Sequence, residues 1–131
     1  SNMHFRNNIF GGTPPVDDDA GESLTGIDFD GDLLYSATAT VFRWKGINYS
    51  SLASLRAATG FEALGRSGNP LFMNPVQLDF RLPPGSPAID TGIRLPGLND
   101  GFSGLAPDIG AFELGGPDII PPAAVTDLRV D

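Results

Sequence analysis

Asp28, Asp30 and Asp32 stand at alternate positions in Ile27-Asp-Phe-Asp-Gly-Asp-Leu-Leu-Tyr35. On an extended strand that spacing puts all three carboxylates on one face, and in a turn it can wrap a hard cation. The chemistry it offers is oxygen ligation of Ca2+. An EF-hand is excluded, because its loop needs Gly at the sixth position and Glu at the twelfth, whereas here the Gly is fourth and the twelfth residue is Ala39. A second acidic group, Asp17-Asp18-Asp19 with Glu22, lies upstream. Carboxylates from the two groups could form the pair that glycoside hydrolysis requires, or Ca2+ there could work with Arg43 or Lys45 as the base of a lyase. The competing reading is that acids beside Gly and Pro belong to solvated turns. His4 is the one imidazole, at the very start of the chain, which argues against a histidine-dependent base or triad. The candidate metal site is Ca2+ at Asp28, Asp30 and Asp32, set against the favoured reading of a solvated turn in front of a strand, with no catalytic residue and no organic cofactor assigned.

The elements that must carry these groups are short. The chain's 131 residues include 17 Gly and 12 Pro, so turns dominate and little is left for long helices. A net charge of −8 with 8 scattered Lys and Arg argues against nucleic acid. A polyanionic ligand would meet the same repulsion unless a basic pocket or bound Ca2+ reversed it. The absence of Cys removes a disulfide framework and thiolate metal sites, and no apolar run is long enough to span a membrane.

His4-Phe-Arg-Asn-Asn-Ile-Phe10 reads as an extended stretch closed by Gly11-Gly12, and Thr13 to Gly26 as a polar loop. Thr38-Ala-Thr-Val-Phe-Arg-Trp-Lys-Gly46 is rich in β-branched and aromatic residues and predicts a strand, with Ile47-Asn-Tyr49 returning as a hairpin. One helix is expected at about residues 51–59, capped by Ser50 or Ser51 and stopped by Gly60, with Leu52 and Leu55 on its apolar face. Downstream, Gly68 to Asp90 consists of short apolar runs fenced by Pro, Gly, Asn and Asp. There Leu78, Phe80 and Leu82 alternate with Gln77, Asp79 and Arg81 as in a half-buried strand. Asp90 is placed to close the turn that follows. Leu95 to Gly104 is a Gly-rich loop without the Gly-Lys-Ser/Thr ending of a phosphate-binding loop.

Asn-Pro-Leu-Phe72, Asp-Phe-Arg-Leu82, Gly-Ser-Pro-Ala-Ile-Asp-Thr-Gly92 and Pro-Asp-Ile-Gly-Ala-Phe-Glu113 together resemble the C-terminal end of secreted right-handed parallel β-helix proteins of the pectate-lyase-like superfamily. Trp44-Lys-Gly46 with the helix Ser51 to Gly60 is similar to that family's terminal plug. The resemblance spans about residues 4–115 and implies a mainly β fold: terminal rungs and cap of the solenoid, with the helix against its open end. It places Trp44, Leu52, Leu55, Phe61, Leu71, Phe72, Phe80 and Ile89 in the cap core. A cap has a physical purpose, since the last rung otherwise leaves backbone groups unpaired and an apolar interior uncovered.

Residues 1–3 read as the remnant of a removed purification tag, and residues 116–131 as a linker. Pro121-Pro-Ala-Ala-Val-Thr-Asp-Leu-Arg-Val130 resembles the opening strand of a fibronectin type III module, and Ala123–Val130 is expected to pair with an exposed edge. The implied function is a non-catalytic C-terminal capping domain of a secreted or cell-surface β-helix protein that binds or processes polysaccharide. Its partners would be upstream rungs and downstream modules, and the open edge would favour a dimer. Two alternatives stand beside it: a passenger segment of a haemolysin-like adhesin or toxin, and a calcium-dependent polysaccharide lyase or hydrolase.

Overall fold

Parallel pairing organises the first part of the chain. The computed structural model describes residues 2–19 and 25–114. The linker 116–131, the pairing expected of Ala123–Val130, and Glu22 lie outside the described residues. Strand β1 (Met3–Arg6) pairs in parallel with β3 (Ile27–Asp30), and β2 (Ile9–Gly12) with β4 (Leu33–Ser36). Both pairs share one offset, Met3 to Ile27 and Ile9 to Leu33, the same 24-residue step that joins Asn8 to Asp32. Strand β7 (Arg66–Ser67) adds to the free edge of β4, also in parallel. On a third side, the Arg43 N–H donates to the Val16 carbonyl and the Asp18 N–H to the Arg43 carbonyl, a parallel bridge of Asp17 with Arg43.

A constant offset stacks like on like. Phe5 lies on Phe29 with ring centroids 4.7 Å apart and planes 10° from parallel. Phe29 also meets Phe42, Trp44 and Phe61 edge-on, the arrangement that aromatic quadrupoles favour. These rings, with Leu34, Leu52 and Leu55, form the inner core.

The predicted hairpin and helix are present. Strand β5 (Phe42–Trp44) turns at Lys45 and Gly46, both with positive φ, into antiparallel β6 (Ile47–Tyr49), as a two-residue primed turn requires. Helix α1 (Leu52–Thr59) is capped by the Ser51 side chain, which accepts from the Ser54 N–H, and ends at Gly60 in the left-handed region. It buries Leu52 and Leu55 against the aromatic rings. The fold is mainly β with this one short helix among the described residues.

Several sequence expectations are corrected. The strand expected from Thr38 begins only at Phe42, because the Ser36 hydroxyl bonds the Thr38 N–H and the Thr40 carbonyl and turns the chain locally. The alternation of Leu78, Phe80 and Leu82 does not make a strand with a buried face. Pro75 opens a short 3-10 turn (Pro75–Gln77), Leu78 follows in the left-handed region and is 77 % exposed, and only Leu82 is buried. Leu71 and Phe80, expected in the core, are exposed at 46 % and 41 %. Asn69 accepts the Leu71 N–H, and this local turn holds Leu71 at positive φ, away from the interior.

The segment from Leu82 to Glu113 runs back along the outside of β2 and β4. Leu82, Ala88 and Ile109 bury Leu33, with Ile9, Phe72 and Ile89 around them. Leu33 and Leu34 are both fully buried, on opposite faces, so β4 is covered on both sides in the manner of a central parallel strand.

Candidate functional site

The acidic triad of Asp28, Asp30 and Asp32 is not assembled into one site. Asp28 pairs with the Arg6 guanidinium, which holds its carboxyl below the ordinary range, and it also lies 3.4 Å from His4. Asp30 accepts the Leu64 N–H at 2.7 Å. Asp32 follows Gly31 and turns inward, where its Oδ1 accepts the backbone and side-chain N–H groups of Asn8 at 2.7 and 2.9 Å. Three carboxylates at alternate positions thus serve three different partners. Upstream, Arg43 faces Asp17 and Asp19 at 3.6 and 3.9 Å, and the Lys45 N–H donates to Asp18. Neither basic residue is presented to Asp28 or Asp30 as the base of a lyase would be.

A different trio converges. Asp90, Asp108 and Glu113 bring one carboxylate oxygen each within 4.8 Å of one another, the group among the described residues that could hold a metal. Asp90 and Glu113 are half-buried and Asp108 is buried. The motifs Pro-Ala-Ile-Asp90 and Pro-Asp-Ile-Gly110 bring them together, because the Ile109 N–H donates to the Ala88 carbonyl and the Gly92 N–H to the Pro107 carbonyl. Asp108 then accepts the N–H groups of Asp90 and Leu114 at 2.8 and 2.7 Å. Glu113 accepts those of Asp108 and Ser103 at 2.9 and 3.0 Å. Donors that loops leave without ladder partners are thereby satisfied, so the chemistry displayed here is capping of backbone N–H groups. The sequence placed an acceptor at Asp90, whereas here the Asp90 N–H itself donates to Asp108.

Beside this trio lies a surface cleft of about 400 Å³, lined by Arg6, Asn99, Phe102, Phe112, Asp108 and Glu113 among others. Its polar walls are already engaged: Arg6 with Asp28, and the Asn99 side chain with the N–H of Leu95 and the carbonyl of Ile93.

One group was not foreseen. Glu62 is fully buried against Asp32, itself fully buried, and its Oε2 accepts the Asp32 N–H at 3.0 Å. Burial first, and then the neighbouring Asp32 charge, push the Glu62 carboxyl up to about 8. Burial also raises Asp32, against the opposing pull of the Asn8 hydrogen bonds. The signal that could have found this place is an internal repeat: Phe5-Arg-Asn-Asn-Ile-Phe10 recurs as Phe29-Asp-Gly-Asp-Leu-Leu34, and the repeat sets Asp32 under Asn8.

Comparison with protein-family models, with curated proteins and with solved structures finds no match to this chain. No helix among the described residues is long and apolar enough to cross a membrane.

Proposed function

We propose that this chain is the closing end of a secreted or cell-surface right-handed parallel β-helix that binds or processes polysaccharide, and that it acts by covering the coil rather than by catalysis. The observation that carries the reading is the shared parallel register of β1 with β3 and of β2 with β4, at one 24-residue step, with α1 set over the aromatic interior where the register ends. The parallel bridge of Asp17 with Arg43 supplies the third side that such a coil needs. The carboxylates support the same view, since Asp28, Asp30, Asp108 and Glu113 all engage neighbouring groups of the fold. Among the described residues β1 and β2 are edge strands, and those edges would receive a preceding rung, while residues 116–131 would lead into a following module.

A cap that is opened should let coils join. In Leu52→Ser/Leu55→Ser, which strips the covering face of α1, sedimentation is expected to show chains associating into oligomers longer than any the unaltered protein forms. Far-UV circular dichroism would verify that the strands remain. A double variant that stays folded with the unaltered sedimentation profile overturns the reading, as does calcium-dependent cleavage of oligogalacturonides by the unaltered protein.

A further inference from the structure

The turn from Phe61 to Arg66 is fastened to β3 and β4 by backbone hydrogen bonds and by the Asp30 carboxylate. The Glu62 N–H donates to the Phe29 carbonyl at 2.8 Å, the Arg66 N–H to the Asp32 carbonyl at 2.8 Å, and the Leu64 N–H to Asp30. From α1, Arg56 donates to the carbonyls of Glu62 and Gly65 at 2.6 and 2.7 Å, which ties the helix to the same turn. Gly65 has to be glycine, because a Cβ there would run into the Glu62 carboxylate. Inside the turn, Glu62 Oε2 accepts the Asp32 N–H at 3.0 Å, which brings the two fully buried residues together, and Asp32 Oδ2 and Glu62 Oε1 are buried without a hydrogen-bond partner.

Two ionised carboxylates cannot occupy this enclosure together, since neither reaches water and both would be repelled. A single shared proton resolves both difficulties. It makes Glu62 a donor, leaves Asp32 as an acceptor, and removes one of the two charges from the enclosure. The alternative occupant is a cation. Two carboxylate oxygens are a poor cage for it, because Ca2+ takes roughly six to eight oxygen ligands.

We propose that Asp32 and Glu62 form a proton-sharing latch that holds the Phe61–Arg66 turn, and through Arg56 the helix α1, onto β3 and β4, and that alkaline loss of the proton releases them. On release the proton passes from the Glu62 carboxyl to water, and two like charges are left in contact. The charged groups facing the pair are Asp30 on β3, which adds to the repulsion, Arg6 on β1, which favours the Asp32 charge, and the Arg56 guanidinium on α1. The sign follows from the direction of the shift. Folded Glu62 keeps its proton above the ordinary 4.5, so the latch contributes fully below that value and its contribution is lost as pH rises through about 8.

Trp44, the single tryptophan, lies 5.2 Å from Phe61 by ring centroids and reports directly on the turn. In the unaltered protein, titrated from about pH 5 to about pH 9 to stay below tyrosine ionisation, its emission is expected to shift to the red with a midpoint of about 8. Glu62→Gln supplies the same hydrogen to Asp32 without titrating, and the shift is expected to vanish. Should that variant fail to fold, carboxyl 13C NMR of the unaltered protein decides, with Glu62 still protonated at about neutral pH. An alkaline shift unchanged in Glu62→Gln, or Glu62 titrating in the ordinary range, overturns the latch. Abolition of the shift by added Ca2+ also overturns it, in favour of a cation between the two carboxylates.

Discussion

Leu34 and Leu33 are neighbours on β4, equally buried, yet they enter cores of different construction. Leu34 faces a column in which strand register places ring over ring and the backbone ladder sets the spacing. Leu33 faces a layer drawn from Leu82 to Ile109, a stretch without regular strands, whose backbone donors end on Asp108, Glu113, Asn99 and Asn7. On the inner side apolar contact dominates and polar groups follow the ladder. On the outer side the loops hold their shape because carboxylates and amides stand in for missing ladder partners, and apolar contact fills the space between.

Substitutions can break this contrast. Phe29→Ala removes the ring that touches Phe5, Phe10, Phe42, Trp44 and Phe61. It should cost about 3–5 kcal/mol, seen as a lower urea midpoint by Trp44 fluorescence. If the loss is below about 1 kcal/mol, the column is not what holds the inner side. Asp108→Ala leaves the N–H groups of Asp90 and Leu114 unpaired and should cost about 1–3 kcal/mol. Hydrogen exchange should rise between Pro87 and Leu114 while β3 keeps its protection. Equal loss of protection on both sides of β4 would erase the distinction. Ser51→Ala removes the cap of α1 and should cost about 1 kcal/mol, with faster exchange at the Ser54 amide.

The same contrast explains what could be read in advance. Ser51 and Gly60 announce α1 because capping is decided within a few residues, and Lys45-Gly46 announces its hairpin for the same reason. The alternation at Leu78, Phe80 and Leu82 misled because Pro75 and the left-handed Leu78 redirect the chain before any face can form. Asp28, Asp30 and Asp32 looked like one site because spacing does not disclose partners. Arg6 and Asn8, from the end of β1 and the link after it, and Leu64, from the turn after α1, draw the carboxylates apart. The pairing of Asp32 with Glu62 depends on a turn that returns after the helix, and no local pattern marks its destination. The outer loops were legible in composition, through their Pro, Gly, Asn and Asp, but not in the choice of Asp108 over Asp90 as the acceptor.

Asn7, at positive φ, uses its side chain as a second peptide: its Nδ2 donates to the Ile93 carbonyl at 2.7 Å and its Oδ1 accepts the Ile93 N–H at 2.6 Å, across 86 residues. A chain emerging from the ribosome carries Asn7 long before Ile93 exists, and this clasp must wait for the 86 residues that separate them. Bringing such distant partners together is entropically slow. The outer layer should therefore lock later than the inner column during biosynthesis, and a protease that cuts near Gly92 would undo the anchorage of Asn7 from 86 residues away.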